Sequence, residues 1–291
     1  MSATRKPRRP KFTDEQKAEY RKAQREQANE RLKAAVESLQ STEGFRAWLE
    51  ARARFHTYSF HNTLLILVQM PEARRVAAAS VWRELGRWPA KGSSALRVYA
   101  PFQSWRPCDE SDDGARYNEK RQRWERKVTF FNLVPVFDVS QTTGEDLPEA
   151  PATSPIEGDS HAHLEPALIK LAGDIGFTVN TEQLEDGTGG YCDSTAKRIV
   201  IGEGHSPNAR VRVLVHEIAH ALGISYKDYG RSEAETIVEA VTYVVLAGQG
   251  LDVDTSSVPY IAGWSGEDGH DKLAKFAQTI DTVARQIEAA L

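Results

Sequence analysis

The stretch "VLVHEIAHALG", residues 213–223, decides how the second half of this chain folds. It is apolar apart from two histidines and a glutamate, and such a segment in a globular protein is a buried helix. Ser206 can accept a first-turn amide hydrogen, and Pro207 lacks only an N–H that has no helical partner there. Gly223 suits the position just after the last turn. We therefore predict a buried helix between Ser206 and Gly223.

The polar residues inside this helix are His216, Glu217 and His220. Residues four apart lie on the same face, so both imidazoles can bind one ion, which is the HExxH arrangement. Glu217 lies beside them and can carry a proton from an activated water to a leaving amine. The pattern also arises by chance, but buried ionisable residues need a partner and a metal provides one. The sequence predicts a divalent-metal site for Zn²⁺, with Mn²⁺ as the alternative.

A catalytic zinc has three protein ligands and one open position. In "SEAETIVEAVTYVV", which follows the first helix after a short loop, Glu235 and Glu239 share one face. If the two helices run antiparallel, Glu235 lies opposite His220 and Glu239 lies opposite His216. This pairing predicts Glu235 as the third ligand and Glu239 as the acceptor of a hydrogen bond from His216.

Two alternatives stay open for these glutamates. Ser232 and Glu235 also fit a capping box, in which Glu235 serves the helix end and no metal. Glu239 is then the ligand. Four further histidines are weaker candidates for the same role, namely His161, His163, His205 and His270.

The segments "LVHEIAHALG", "EAETIVEAVTYVV" and "VPYIAGW" (258–264) together resemble the zincin domain of ArdC-type antirestriction proteins. More broadly they look like gluzincin peptidases, with the ImmA/IrrE metallopeptidases as distant relatives. The resemblance implies a zinc-dependent metalloendopeptidase in which "GGYCDSTAKRIVIG" (189–202) supplies an edge strand that holds the substrate backbone. It would place Tyr191 near the cleft, although an aromatic that only packs the strand fits equally well. Further residues considered for stabilising an oxyanion are Tyr226, Tyr229, Tyr260 and Trp264.

Charge divides the chain into a basic and an acidic part. Residues 1–106 hold 21 Lys and Arg against 10 Asp and Glu, and the remaining residues hold 16 against 31. A basic region favours a polyanionic partner, although solvated basic helices give the same composition. The composition therefore indicates two units with different partners.

The basic part reads as an α+β module. A helix is expected at "SFHNTLLILVQM" (59–70), a short helix at "ASVWRELG" (79–86), and strands at "ALRVYAPFQSW" (95–105) and "KVTFFNLVPVFDV" (127–139). The stretch 58–101, with "VFDVSQTTG" (136–144), is similar to the single-stranded-DNA-binding domain of ArdC-like proteins. A long, partly acidic insertion at 107–125 departs from that pattern.

Cations and exposed aromatics suit single-stranded nucleic acid, because cations neutralise phosphates and aromatic rings stack bases. Trp82 is expected to pack in the core and Trp88 to be the better stacking residue. The residues predicted to contact nucleic acid are Asn62, Gln69, Arg74, Arg75, Arg87, Trp88 and Lys91.

The predicted organisation is a disordered basic arm (1–12), a DNA-binding domain (13–145), a linker (146–162) and a zincin-like domain (163–291). No apolar run is long enough to span a membrane, and the basic N-terminus lacks the apolar region of a secretory signal. Two cysteines without a paired spacing suit a reducing compartment, so we expect a cytoplasmic protein.

The function expected from these features is a single-stranded-DNA-binding zinc metallopeptidase of the antirestriction type, acting on an unknown protein substrate. Two alternatives remain. One is a DNA-coating antirestriction protein in which the metal is structural. The other is an ImmA-like regulatory peptidase that cleaves a repressor.

Overall fold

A computed structural model describes residues 13–39, 41–147, 154–185, 188–253 and 269–291. These residues form both helices and sheets, which confirms the predicted α+β class. The predicted arm (1–12) and the segment 258–264, with Tyr260 and Trp264, lie outside the described residues. Within the described ranges, every helix is too short or too polar to cross a membrane.

The N-terminal half begins with three helices that each start at a hydroxyl N-cap. Thr13, Ser41 and Ser59 accept amide hydrogens from the first turns of these helices. The elements in order are α1 (Asp14–Ser38), α2 (Thr42–Arg54), α3 (Phe60–Gln69), β1 (Val76–Ala77), α4 (Ala79–Glu84), β2 (Arg87–Pro89), β3 (Leu96–Pro107), β4 (Arg116–Asn118), β5 (Arg123–Asp138) and β6 (Thr142–Gly144).

The C-terminal half places a small sheet beside the helices that carry the predicted metal ligands. Its elements in order are β7 (Ser154–Pro155), α5 (Glu165–Asp174), β8 (Thr178–Glu182), β9 (Gly190–Asp193), β10 (Arg198–Gly202), α6 (Pro207–Ala221), α7 (Tyr226–Tyr229), α8 (Arg231–Gly248), β11 (Leu251–Asp252) and α9 (Gly269–Glu288).

The two larger sheets lie one in each half of the chain. In the N-terminal sheet the strand order is β1-β5-β3, with β4 pairing to the outer part of β5, and all pairs are antiparallel. In the C-terminal sheet the order is β8-β10-β9, with β8 parallel and β9 antiparallel to β10. The predicted hairpin in 189–202 is therefore present, and β9 lies at the sheet edge in the described part of the chain.

The helix boundaries around the motif follow from its caps. Ser206 accepts a hydrogen bond from the amide of Ala209, and Gly223 closes α6 at a positive φ of +110° that favours glycine. The next helix departs from the prediction, because the extra helix α7 intervenes and α8 begins at Arg231. Gly230 occupies its N-cap without a side-chain hydrogen bond, so Ser232 is not a cap and forms no capping box with Glu235.

The core joins the two halves. Trp48 and Leu49 of α2 belong to the same buried cluster as Ile218 of α6, Val241 of α8 and Ala284 of α9. A second, smaller cluster packs α2 and α3 against the N-terminal sheet. The predicted domain boundaries stay a prediction. However, α2 and α3 pack both against the N-terminal sheet and against the helices of the C-terminal half.

A buried ion-pair network reinforces this joint. The guanidinium of Arg52 on α2 is fully buried and binds Asp281 and, at 2.8 Å, Glu288, both on α9. Asp281 also accepts a hydrogen bond from the amide of Phe60 at 3.2 Å. Unpaired buried charges are strongly destabilising, so this network fixes α2 and α3 to the last helix.

The predicted linker is not free along its whole length. Residues 148–153 lie outside the described ranges, but β7 pairs in parallel with β11. His161 is buried, where its two ring nitrogens contact Ser160 Oγ and the carbonyl of Gln249. Residues 154–162 of the predicted linker therefore pack against α6 and the end of α8, while the boundaries of the linker stay a prediction.

Candidate metal centre and nucleic-acid interface

The side chains of α6 and α8 converge at one point. Within the described residues, His216, His220 and Glu235 form the single cluster of three or more possible metal ligands, with their ligand atoms within 4.8 Å of one another. The Nε2 atoms of His216 and His220 lie 3.4 and 3.6 Å from the two carboxylate oxygens of Glu235. The structure thus brings together the three residues that the sequence spacing predicted.

The donor set fits a small divalent ion. Two ligands at about 2.1 Å from a tetrahedral ion lie about 3.4 Å apart, which is close to both separations found here. Two imidazoles and one carboxylate are ordinary ligands for Zn²⁺, and imidazole and carboxylate also suit Mn²⁺. The identity of the ion and the ligand role of each residue stay predictions.

The outer nitrogen of each histidine has its own acceptor. His216 Nδ1 donates to Glu239 Oε1 at 3.1 Å, and His220 Nδ1 donates to the carbonyl of Ile224 at 2.8 Å. Such bonds fix ring orientation and leave Nε2 available for an ion. Glu239 therefore lies behind His216, in the position expected for the acceptor of its hydrogen bond.

Negative charge dominates the electrostatics of the cluster. Burial lowers the pKa of His216, but the hydrogen bond to Glu239 and the charge of Glu217 outweigh it, so the pKa is raised. Burial lowers the pKa of His220, which favours the neutral form. Glu239 keeps a lowered pKa despite its burial, because His216 and Arg212 stabilise its charge. The same field attracts a divalent cation.

Glu217 is buried on α6, where its side chain lies next to the edge strand β9. Burial, and then the charges of Glu235 and Glu239 against the opposing charge of His216, raise its pKa to about 7. A carboxyl group with such a pKa can accept and return a proton near neutral pH. A Cβ added to Gly190 of β9 would lie 3.6 Å from Glu217 Cγ and 2.6 Å from both Val213 Cγ1 and the carbonyl of Val200. Glycine thus lets β9 approach Glu217 closely.

The predicted substrate and oxyanion residues lie at different distances from the cluster. Tyr191 lies on β9 under the guanidinium of Arg198, 5.4 Å from its ring centroid. The hydroxyl of Tyr226 donates to Glu235 Oε1, and its ring packs on His220 with centroids 5.3 Å apart. Burial and the bond to Glu235 raise the pKa of Tyr226 to about 12. Tyr229 packs on Phe276 instead.

The other histidines are held elsewhere. His205 Nε2 contacts the carbonyl of Gly189, and His163 Nδ1 contacts the carbonyl of Ser160. His161 is in its buried contacts with Ser160 and Gln249, and the side chain of His270 lies outside the described residues. None of the three described histidines joins the cluster.

Sequence reasoning missed Arg212, and it considered Tyr226 for an oxyanion but not for its contact with Glu235. Arg212 binds Glu239 at 3.0 Å, and its position four residues before His216 on the same helix face is the signal that would have found it. Tyr226 is brought to Glu235 by α7, which has one turn and no periodicity to detect.

The amides predicted to contact nucleic acid have a structural role. Asn62 Nδ2 donates to the carbonyl of Tyr99 at 2.8 Å, and its Oδ1 accepts the amide of Tyr99 at 2.7 Å. Gln69 makes the same pair of bonds with the backbone of Arg97, both at 3.0 Å. These side chains hold α3 against the edge of β3. Their contact with nucleic acid stays a prediction.

Arg87 also serves the fold. Its guanidinium bonds Thr142 Oγ1 at 2.9 Å, the carbonyl of Thr142 at 3.1 Å and the carbonyl of Glu145. These contacts hold β2 against β6. A contact of Arg87 with nucleic acid stays a prediction. Trp82 is 2% exposed and donates its indole N–H to the carbonyl of Phe137, which confirms its expected place in the core.

The remaining predicted residues lie at the surface. Trp88 is 54% exposed on β2, and Lys91 is exposed on the turn that follows. Arg74 and Arg75 are exposed beside a cleft of about 760 Å³, where both backbone amides donate to Asp138. Contact of these four side chains with nucleic acid stays a prediction.

Comparisons with known proteins agree with this geometry. Residues 15–137 match the family model for the N-terminal domain of anti-restriction factor ArdC. A metal-free crystal structure of the antirestriction ArdC protein from the R388 plasmid matches with a TM-score of 0.51 and 18% sequence identity, over 89% of this chain and 97% of that chain. Residues 15–137 therefore resemble the N-terminal domain of ArdC, and the fold of the chain resembles that of the R388 ArdC protein.

The similarity in fold extends past the N-terminal domain. The match to the R388 ArdC protein covers 89% of this chain and so reaches into the half that holds His216, His220 and Glu235. The Mn(II)-bound structure of the same ArdC protein has a TM-score of 0.49 and 17% identity, over 89% of this chain and 98% of that chain. The uncharacterized protein pXO2-81 of Bacillus anthracis is 24% identical over 322 residues. That match covers 96% of this chain and 54% of the relative, so the chain spans about half the length of this curated relative.

Proposed function

We propose that the chain is a divalent-metal-dependent peptidase that binds single-stranded DNA and serves in antirestriction. The observation that carries the proposal is the position of two histidine Nε2 atoms on either side of the Glu235 carboxylate, with Glu217 buried beside them. The ArdC-like fold supports the antirestriction role and a place of action in the cytoplasm, where entering DNA meets restriction.

In this proposal His216, His220 and Glu235 hold the ion. When bound, the ion supplies Lewis acidity, which makes water a better nucleophile and a peptide carbonyl a better electrophile. Glu217 accepts the proton of the attacking water and delivers it to the departing amine, for which a pKa of about 7 is suitable. Glu239, itself held by Arg212, fixes the ring of His216.

The edge strand β9 supports a peptide as substrate. In the described part of the sheet β9 pairs on one side only, with β10, and its open side can pair with an extended chain. Gly190 brings this edge next to Glu217. A backbone bound along β9 therefore lies beside the residue that moves the proton.

The N-terminal half supports the DNA-binding part of the proposal. Trp88 offers an exposed ring for stacking, and Lys91, Arg74 and Arg75 offer positive charge for phosphates. These contacts do not depend on base identity, so we propose binding to single strands without strong sequence preference.

The proposal is tested with Glu217→Gln and with Glu182→Gln as the matched control on β8, away from the cluster. Metal content by elemental analysis is expected to be equal in both variants and the parent. Protection of incoming unmodified DNA in a restricting host, together with cleavage of host proteins, is expected to be lost in Glu217→Gln alone.

Two other outcomes lead to the alternatives. Full protection by Glu217→Gln contradicts the peptidase and supports a DNA-coating protein with a structural metal. Cleavage that depends on Glu217, without salt-sensitive binding of a labelled single strand, contradicts DNA binding and supports a regulatory peptidase.

A further inference from the structure

The two long strands of the N-terminal sheet continue past the core as a projecting arm. We define the arm as Pro101–Pro107 of β3, Arg123–Phe131 of β5, and β4. Of the residues of β3, only Leu96 and Val98 are buried, and both precede the arm. On the arm itself Glu125 is the single buried residue among those described. Among the described residues, the arm therefore contributes no apolar side chain to a buried core.

One face of the arm carries an arginine pair between two aromatic pairs, with Ser104 opposite Val128 between the inner aromatic pair and the arginines. Side chains alternate along a strand, and residues directly paired across strands share a face. Phe102 lies opposite Phe130, with stacked rings 6.0 Å apart, and Arg106 lies opposite Arg126. Farther out, Tyr117 lies opposite Trp124, with rings 5.4 Å apart. We call this the arginine face.

The arginine pair is costly for the isolated protein. Like charges directly opposite each other on neighbouring strands are destabilising. Arg106 and Arg126 are exposed, and within the described residues neither forms an ion pair or a side-chain hydrogen bond. Phe102 and Tyr117 remain 41% and 40% exposed on either side of them. An anionic partner with flat rings would satisfy both features together.

The opposite face of the arm is different. It carries exposed Trp105, Lys127 and Phe131, but on this face the next pair beyond Trp105 and Lys127 contains the carboxylate of Glu125. Hydrogen bonds from Asn118, Arg123 and Arg121 lower the pKa of Glu125 to about 2, so this group stays charged and already pairs the nearby arginines.

We propose that the arginine face binds single-stranded DNA, with phosphates on Arg106 and Arg126 and bases on the rings that flank them. This inference rests on the proposed function and adds a surface that lies outside Trp88, Lys91, Arg74 and Arg75. The face extends about 20 Å from the Phe102 pair to the Trp124 pair, because each strand residue advances about 3.3 Å. That length contacts several nucleotides.

The tip of the arm sets a limit to this surface. The loop after β3 carries Asp109, Glu110, Asp112 and Asp113, all on the far side of the arginine pair. Their charge repels phosphates, so a strand bound along the arginine face is expected to continue toward the body of the protein and not past the tip of the arm.

The test uses residues that are neighbours in sequence but lie on opposite faces. Binding of a fluorescein-labelled dT20 strand is measured by anisotropy over a range of salt for the full chain and for Arg126→Gln, Lys127→Gln, Phe102→Ala and Trp105→Ala. Arg126→Gln is expected to lower the slope of log Kd against log salt by about 1. Phe102→Ala is expected to weaken binding roughly fivefold or more. Lys127→Gln and Trp105→Ala are expected to bind as the parent does.

Each result has one meaning. Equal losses on both faces, or none on the arginine face, overturn the inference while leaving DNA binding itself intact. If the unmodified chain does not bind dT20 at low salt, the proposed DNA-binding function fails and the arm inference fails with it. Thermal unfolding of each variant confirms that these exposed substitutions leave the fold unchanged.

Discussion

The metal centre and the nucleic-acid interface were predicted from the same sequence with different results. At the metal centre, the structure brings His216, His220 and Glu235 together as their spacing indicated. At the interface, Asn62, Gln69 and Arg87 turned inward to bond the backbone, while Trp88 and Lys91 stayed exposed. A helix fixes which residues share its face, but whether a polar side chain points to solvent depends on what packs beside it.

The largest effect is expected from the support of His216. Glu239→Gln weakens the acceptor of the His216 bond and removes the partner of Arg212, so metal affinity should fall roughly 10- to 100-fold. Isothermal titration with Zn²⁺ measures this change, and Glu182→Gln is the control. Unchanged affinity would mean that Glu239 does not support the metal site. The sequence prediction would then fail at the metal centre as well.

The next effect concerns the amides that hold α3 against β3. Asn62→Ala leaves the amide and carbonyl of Tyr99 without their partners, which should reduce the free energy of unfolding by about 1–3 kcal/mol. Affinity for a labelled single strand should stay the same. Chemical denaturation and anisotropy measure the two quantities, and a loss of DNA affinity in a fully stable variant would restore the original interpretation of Asn62.

The reverse pattern is expected at Trp88. Because its ring is exposed, Trp88→Ala should leave the free energy of unfolding within about 0.5 kcal/mol of the parent. Base stacking on an aromatic contributes about 1–3 kcal/mol, so single-strand affinity should fall by a corresponding factor. Together with Asn62→Ala this variant separates binding from folding. If Trp88→Ala binds the single strand as tightly as the parent does, Trp88 is not part of the nucleic-acid interface.

The smallest effect is a pH dependence at Asp138. Burial raises the pKa of Asp138, but bonds from Ser140 and from the amides of Arg74 and Arg75 outweigh it, so the folded pKa is lowered. A lowered folded pKa contributes stability that is present above the unfolded pKa and is lost as pH falls through the folded value. Asp138→Asn should therefore flatten the loss of stability below pH 4 in urea titrations. An unchanged slope would contradict this assignment.

The sequence was sufficient for features that depend on local order. Ser206, Pro207 and Gly223 defined α6, and the alternation in 95–105 and 127–139 defined β3 and β5. It was insufficient where distant residues decide the outcome. The single turn α7 formed from residues without periodicity, and α8 begins after it at Arg231 with Gly230 as the N-cap. The pairing of β7 with β11 joins positions about a hundred residues apart, and no local pattern indicates it.

The buried Arg52 network has a consequence for how the chain can be divided. The match to the N-terminal ArdC domain ends at residue 137, yet Arg52 within it is neutralised by Asp281 and Glu288 near the other end of the chain. A fragment cut at that boundary would expose the apolar surface of α2 and remove both counter-ions of Arg52. The two halves should therefore unfold in one cooperative transition.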